Sequence, residues 1–446
     1  MDWDSLQTEN SWRKGRENEV PILVSYFDST GVKQIHQAAG ARVHGGATRR
    51  AGQKTLRLYA RNEYGNDLFN YPFFPERDHA DYRRLLLQTT YGDFAKSIMK
   101  DELTTRIVNP LGIEILNFKP VLVFLNGEYW ALHFLKERRD EHYLSGLSGV
   151  PSEHIDFLNN NQRVAHGSAD HYAQTLAFID NSDPEEPELL SKIDERIDVN
   201  NYIDYQICQI FFANTDWPHN NIDYWRPDTI GGRWRWIFYD LDASMRLYEL
   251  DNLSWYFNEF DPLVEEQQWP RHLLRSMMRI PEFKNRFLVR FEELMAGPLS
   301  TENMMREIGK LKNEIEPFVS DYIYRWRIPR SKTEWEDNIS ILTTFAMRRP
   351  AFMKQLLNEN LGRSLSAYPN PTKDFINIRK RIGSFQEQEI QEVFIQDLQG
   401  KKLPFKHQFI EGELQLEVSS LPAGSYILRI TMNNRYHSIP VVVVKP

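Results

Sequence analysis

The sequence predicts a mixed α+β protein: a β-containing N-terminal part, a long helical part and a small all-β domain at the C-terminus. Three observations predict this. Short apolar runs between Val20 and Phe134 are spaced as strands and broken by Gly or Asn-Gly turns. Helical periodicity with charged outer faces dominates from Asp170 to Asn358. From about Leu361 onward only strand-sized runs and turn residues remain.

At 446 residues the chain is too long for one small core. A hydrophobic content of 41% with 13% aromatics is globular rather than disordered. The net charge of −8 argues against a nucleic acid as the main partner, because phosphate backbones require a basic face. No run approaches the roughly 18 to 20 apolar residues that span a bilayer. Cys208 is the single cysteine, which excludes an internal disulfide and a Cys-rich zinc site. Its apolar helical surroundings predict a buried small side chain rather than a reactive thiol.

In chain order, Val20 to Phe27 reads as a strand with a turn at Asp28 to Gly31. Ala41 to Gly46 reads as a second strand, and Lys54 to Arg61 as a third with clear alternation. Residues 81–100 and 101–108 are expected to be helical, with Leu85, Leu86, Leu87, Phe94 and Ile98 on the apolar side. Pro120 to Phe124 and Tyr129 to Phe134 form a hairpin around Asn126-Gly127, the strongest short hairpin signal. Helices are expected over His171 to Ile179, Pro187 to Ile197 and Val199 to Phe212. Two strands follow, flanking Gly231-Gly232. Four more helices lie between Gln268 and Asn358. The tail strands include Phe375 to Ile378, Glu392 to Ile395, Leu414 to Val418 and Tyr426 to Ile430, spaced as in a β-sandwich.

The densest chemistry lies between Asn214 and Asp242. Asp216 is followed five residues later by Asn221, and Asp240 and Asp242 end a strand-like run. Phosphoryl transfer needs a carboxylate for the acceptor hydroxyl, an amide oxygen for Mg²⁺ and a further carboxylate for the metal on the phosphates. An Asp and an Asn five apart, followed by a strand bearing another Asp, keep that order. Residues i and i+2 of a strand point the same way, which would turn Asp240 and Asp242 to one ligand. On spacing alone the alternative stands beside it: Asn-Thr-Asp before a proline as a capped turn, and Asp-Leu-Asp as a strand end. Upstream, Lys54 could neutralise phosphates and Gly45-Gly46 could allow close backbone approach, while Glu137 could anchor Lys54 or approach the nucleotide. Each also reads as an ordinary surface lysine, turn or strand-ending charge. The histidines show no two-His helical spacing beside a Glu, so a zinc hydrolase is a poor reading.

Four segments resemble the CotH (spore-coat protein H) kinase family, an atypical protein-kinase-like group. They are His44-Gly45-Gly46-Ala47-Thr48-Arg49 with Gln53-Lys54; Leu125-Asn126-Gly127-Glu128-Tyr129-Trp130 running to Glu137; Asn214 to Asn221; and Trp236 to Asp242. His44 stands where many members carry Arg, and Ala131 where many carry Gly. The resemblance implies a bilobal kinase-like domain over 1–360, with an N-lobe at about 20–160 and a C-lobe at about 161–360. It implies transfer of the ATP γ-phosphoryl to Ser or Thr of a protein with Mg²⁺ or Mn²⁺. Asp216 would be the catalytic carboxylate and Asn221, Asp240 and Asp242 the metal ligands. Lys54, Gly45, Gly46 and Glu137 would lie on the nucleotide side. A second expectation is a catalytically inactive kinase fold acting in adhesion, with Trp217, Tyr224, Trp225, Trp234 and Trp236 stacking on sugars.

Residues 361–446 resemble the C-terminal sorting domain of type IX secretion cargo, through Tyr368 to Thr372, Ile395 to Lys401 and Leu421 to Ile430. This implies an encounter with that secretion machinery and a secreted or outer-membrane-surface location. Met1 to Glu17 has no apolar core of the kind a signal peptide needs. An N-terminally truncated chain is the simplest expectation.

Overall fold

The structure is a computed structural model that describes residues 12–89, 91–257, 269–361, 365–380, 387–397, 401–410, 412–432 and 435–445. The chain divides into two compact units. One comprises Met1–Leu250, Asp261–Pro281 and Leu294–Arg349; the other comprises Asp251–Phe260, Glu282–Glu293 and Pro350–Pro446.

The first unit is built on two sheets. Six strands form an antiparallel sheet in the order Val20–Phe27, Lys33–Val43, Leu56–Tyr59, Arg84–Gln88, Glu128–Glu137 and Phe118–Leu125. The Asn126-Gly127 hairpin is present, with both turn residues at positive φ (51° and 89°), as a tight two-residue turn requires. Ile35, Ala39, Leu58, Leu85 and Leu135 form a core on this sheet with Phe69, Phe73 and Phe74.

One expectation is corrected here. Residues 84–88 are a strand, and the helix starts only at Lys100, running to Val108. Arg84–Gln88 lies between two partner strands, and Leu85 and Leu86 are 2% and 0% exposed. A strand covered on both faces reads as a continuous apolar run, which periodicity does not separate from a buried helix.

The second sheet has the order Arg163–His166, Ile155–Asn159, Asp223–Pro227, Arg235–Phe238 and Glu114–Ile115, the last pair parallel. It draws strands from both sides of residue 160. Asp223–Pro227 and Arg235–Phe238 are the expected pair flanking Gly231-Gly232. Against it runs the helix Val199–Phe211, buried at every position except Asn200. The helix is buried nearly all round although it carries Asn201, Asp204, Gln206 and Gln209 among its buried side chains, and Cys208 is buried within it. Its first turn is capped by Asp198, whose side chain accepts from Asn201 N.

The tail is the expected sandwich. One sheet runs Leu365–Tyr368, Phe375–Lys380, Glu413–Glu417 and Lys406–Ile410; the other runs Lys402–Leu403, Ile390–Gln396, Gly424–Met432 and Arg435–Val443. Ile376, Ile378, Leu414 and Leu416 of the first pack with Ile395, Leu428, Ile430 and Val441 of the second in one core.

Candidate active site

The Asn214–Asp242 stretch is held by the buried helix before it and the strand within it. After Phe211 the chain turns through Ala213 at φ 52°. Asn214, 1% exposed, donates to Gln209 Oε1 at 3.0 Å and accepts Asp216 N at 3.1 Å. Thr215 Oγ1 donates to the Ala243 carbonyl at 2.9 Å, and Met245 N donates to the Phe212 carbonyl at 2.9 Å. Trp217 Nε1 donates to Tyr205 OH at 3.1 Å. The loop bearing Asp216 is thus tied to the loop bearing Asp240 and Asp242.

Asp216 is exposed, and its Oδ2 accepts Asn221 Nδ2 at 2.9 Å and Asn220 Nδ2 at 3.3 Å. Asn221 holds φ 58°, Asp240 φ 62° and Met245 φ 50°. With Ala213, four non-glycine residues in left-handed conformation stand within 33 positions, a concentration of backbone strain usual at functional sites. Asp240 at positive φ also means that Asp240 and Asp242 do not continue the strand, which ends at Phe238. The expected strand-like i, i+2 alignment is corrected to a turn.

The two carboxylates nevertheless feel each other. Burial, then Asp242, Asp101 and Asp216, push the Asp240 carboxyl well above the usual range, with Arg139 opposing. Burial likewise raises Asp242, together with Asp101, Asp93 and Asp216, against the pull of a hydrogen bond from Gly92 N to Asp242 Oδ2 at 2.6 Å. Gly92 is a glycine for this contact: a Cβ there would stand 2.8 to 3.1 Å from the Asp242 carboxyl atoms.

Sequence reasoning missed the support behind this cluster. Asp101 Oδ1 accepts the backbone N–H of Leu241 at 2.8 Å, and its Oδ2 lies 2.5 Å from Lys136 Nζ. Lys136, 2% exposed, also pairs with Glu102 Oε1 at 2.7 Å. Burial opposes the Lys136 charge, but the two acids outweigh it and hold its ammonium above the ordinary value. Burial pushes Glu102 up to about 7 despite Lys136. The available signal was a Lys-Glu pair and an Asp-Glu pair inside apolar segments, where charges are costly unless partnered.

The nucleotide-side residues are placed as follows. Lys54 is 5% exposed, and its Nζ donates to the Arg49 carbonyl at 2.5 Å. Burial, then Arg49, pull its ammonium below the ordinary value. It precedes the strand Leu56–Tyr59 rather than opening it. Gly45 sits at φ 111°, and a Cβ there would meet Thr48 Oγ1 at 1.7 Å, while Gly46 leads into the turn Ala47–Arg50. Glu137 is buried and does not meet Lys54: it accepts both Arg77 Nε and Nη2 at 2.6 Å, and Asn117 N at 2.8 Å. Trp217, Tyr224, Trp225, Trp234 and Trp236 are all 4% exposed or less, and Trp217, Tyr224 and Trp236 line a cavity of about 270 Å³ together with Tyr172 and Tyr202.

Among the described residues no group of three or more His, Cys, Asp or Glu side chains is arranged to hold a metal ion. Mg²⁺ takes one or two carboxylates and completes its shell with substrate oxygens and water, a donor set that the crowded carboxylates of Asp240 and Asp242 fit. The mutual repulsion of Asp240 and Asp242 is what a bound cation relieves. Among the described residues no helix is long and apolar enough to cross a membrane.

No curated protein matches the chain. Residues 366–445 match the family described as secretion system C-terminal sorting domain, over the β-sandwich. Residues 41–353, which take in every site residue above, match the family described as CotH kinase protein. That match covers well over half of the sequence, and the chain belongs to the CotH kinase family.

Proposed function

We propose that the chain is a secreted or surface-held protein kinase that moves the γ-phosphoryl group of ATP to Ser or Thr hydroxyls of a protein. The observation that carries this reading is an exposed Asp216 fixed by Asn220 and Asn221, beside a pair of carboxylates that repel each other. Asp216 orients the acceptor hydroxyl and takes its proton as the oxygen attacks phosphorus. Asn221 and Asn220 hold that carboxylate in place. Asp240 and Asp242, with the Asn221 amide, would hold Mg²⁺. When bound, Mg²⁺ neutralises charge on the phosphate oxygens of ATP. Asp101 fixes the Leu241 backbone, and so the position of the two aspartates on either side of it. In this reading the domain is bilobal, with the six-stranded sheet in the smaller lobe, and the sorting domain brings the enzyme to the type IX secretion machinery.

The test is label transfer from γ-labelled ATP with Mg²⁺ or Mn²⁺ to the protein itself or to an acceptor such as casein. Wild type incorporates label, and Asp216→Asn loses about 10²- to 10⁴-fold in rate, the range for a positioned general base. Equal incorporation by the two overturns the reading.

A further inference from the structure

The cavity of about 270 Å³ lies on the face of the second sheet that carries Tyr224 and Trp236. These two residues stand opposite each other on adjacent strands. Alternation turns them away from Phe157, Trp225 and Ile237, which pack together on the other face. The helix Val199–Phe211 contributes Tyr202 and Gln206 to the wall, four residues apart and so on one side of the helix. None of the residues assigned above to catalysis, metal or nucleotide lines the cavity. Asn161 and His272, both exposed, are on its wall, which brings it within reach of solvent.

Gln206 is the anomaly on this wall. The residue is 5% exposed, and among the described residues its Oε1 accepts no hydrogen bond. An unmatched buried amide is costly, and packing alone would be served better by an apolar side chain. Other polar groups nearby are engaged. Tyr224 OH donates to the Asn160 carbonyl and accepts Gln162 N, both at 3.0 Å, Asn160 Oδ1 accepts Ile222 N at 3.1 Å, and His272 Nε2 pairs with Asp180 Oδ2 at 3.0 Å. The last torsion of a glutamine is soft, so a small rotation turns Oε1 to the cavity.

The wall selects the chemistry of an occupant. Among the described residues it carries no Asp, Glu, Lys or Arg, so a charged ligand would be buried uncompensated. The rings already pack on one another, with centroids 4.6 Å apart for Tyr172 and Tyr224, 4.5 Å for Tyr202 and Trp236, and 5.7 Å for Tyr224 and Trp236. A sugar needs a free ring face and a partner for each of several hydroxyls, which this wall serves badly. A flat apolar ring with a single hydroxyl is served well, since aromatic edges meet its face and its hydroxyl meets the one open amide. Ligand pockets span about 300–1,000 Å³, and a volume just under that range suits one ring.

We propose that this cavity binds a phenolic ring, with Gln206 Oε1 accepting from its hydroxyl. Trp217 and Ile222, next in the chain to Asp216 and Asn221, are on the same wall, so an occupant abuts the loop that holds them. Binding itself needs neither metal nor ATP and stands apart from the kinase reading.

The test is a ligand-observed NMR titration of the full chain in EDTA with p-cresol, N-acetyl-L-tyrosinamide, toluene and methyl β-D-glucopyranoside. Wild type binds p-cresol about tenfold more tightly than toluene, the worth of one buried hydrogen bond, and does not bind the glucoside. Gln206→Met, close in shape and lacking the amide, loses that preference without a lower melting temperature. Leu176→Trp, at a half-buried position on the wall, fills the cavity and abolishes binding of both rings. Asp216→Asn binds as wild type does, so a failed kinase assay leaves this result untouched. Binding of the tyrosinamide beside p-cresol identifies the natural occupant as a tyrosine side chain, and its exclusion identifies a free phenol. Absence of p-cresol binding by wild type, an unchanged preference in Gln206→Met, or binding of the glucoside in place of the phenols overturns the proposal.

Discussion

The carboxylate of Asp101 holds the backbone N–H of Leu241 at 2.8 Å, tying the residue between the two site aspartates to a helix 140 positions earlier in the chain. The other oxygen of Asp101 is occupied by Lys136, a fully buried ammonium shared with Glu102. A buried ion cluster of this kind contributes little net stability when intact, yet it is costly to break. Its value here is geometric, because it fixes where Asp240 and Asp242 can stand.

Replacing Lys136 tests this coupling. Lys136→Met leaves two buried acids without a cation, and the expected loss is about 3–5 kcal/mol of unfolding free energy, read by urea denaturation. Glu102, already raised to about 7, takes up a proton in the variant. Lys136→Met combined with Glu102→Gln recovers part of the stability. A positioning role also predicts a weaker Mg²⁺ requirement curve, with half-saturation shifted upward; a variant that loses stability but keeps the wild-type Mg²⁺ dependence contradicts it.

The crowded aspartates make the metal-free protein sensitive to pH, and the sign can be worked out. A carboxyl whose folded-state value is raised costs stability wherever it is charged in the fold. That cost is full above the raised value and fades as pH falls toward the ordinary carboxylate range. Asp240, Asp242 and Glu102 are all raised. In EDTA the melting temperature therefore rises between pH 8 and pH 6. Asp240→Asn melts higher than wild type at pH 8 in EDTA, and loses the stabilisation that Mg²⁺ gives wild type. A metal-free melting temperature that falls across the same window sinks this account.

Some of this was readable in the chain and some was not, for physical reasons. The grouping of Asp216 with Asn221 is local, five positions apart on one loop, and local spacing carries that information. The tail sandwich was readable because its strands alternate between a single core and solvent. Residues 84–88 were misread because a strand buried on both faces loses its alternation. Sequence order leaves Glu137 open to Lys54, to a nucleotide or to solvent, and register decides: Glu137 faces Leu85 across the sheet and turns its carboxylate to Arg77. The Lys136–Asp101–Leu241 chain links residues 35 and 140 positions apart, a separation at which a single sequence carries no pairing signal. The facing of Arg42 and Arg57 is hidden likewise, because strand pairing brings them together.

Ile376, Ile378, Leu414, Leu416, Leu428, Ile430 and Val441 of the two tail sheets share one core. Removal of residues 365–446 is expected to leave a cooperative melting transition and an unchanged thermal response to Mg²⁺ with an ATP analogue. Loss of that transition on truncation would show that the sandwich is part of the enzyme's fold.

Gly92 provides the sharpest separation of geometry from stability. Its backbone φ lies outside the positive range, so alanine can adopt the conformation without strain. The added methyl, however, falls 2.8 to 3.1 Å from the Asp242 carboxyl atoms, at the point where Gly92 N holds Oδ2. One of the two must move, and the carboxylate is the freer because it ends a side chain. A displacement on the order of 1 Å at a reacting centre costs roughly 10²-fold in rate. Gly92→Ala should thus lower kcat by about that factor and raise the Mg²⁺ half-saturation, while the metal-free melting temperature stays near wild type. A variant with wild-type kcat and Mg²⁺ dependence would remove Asp242 from the set of groups that matter for transfer and leave Asp240 as the principal ligand.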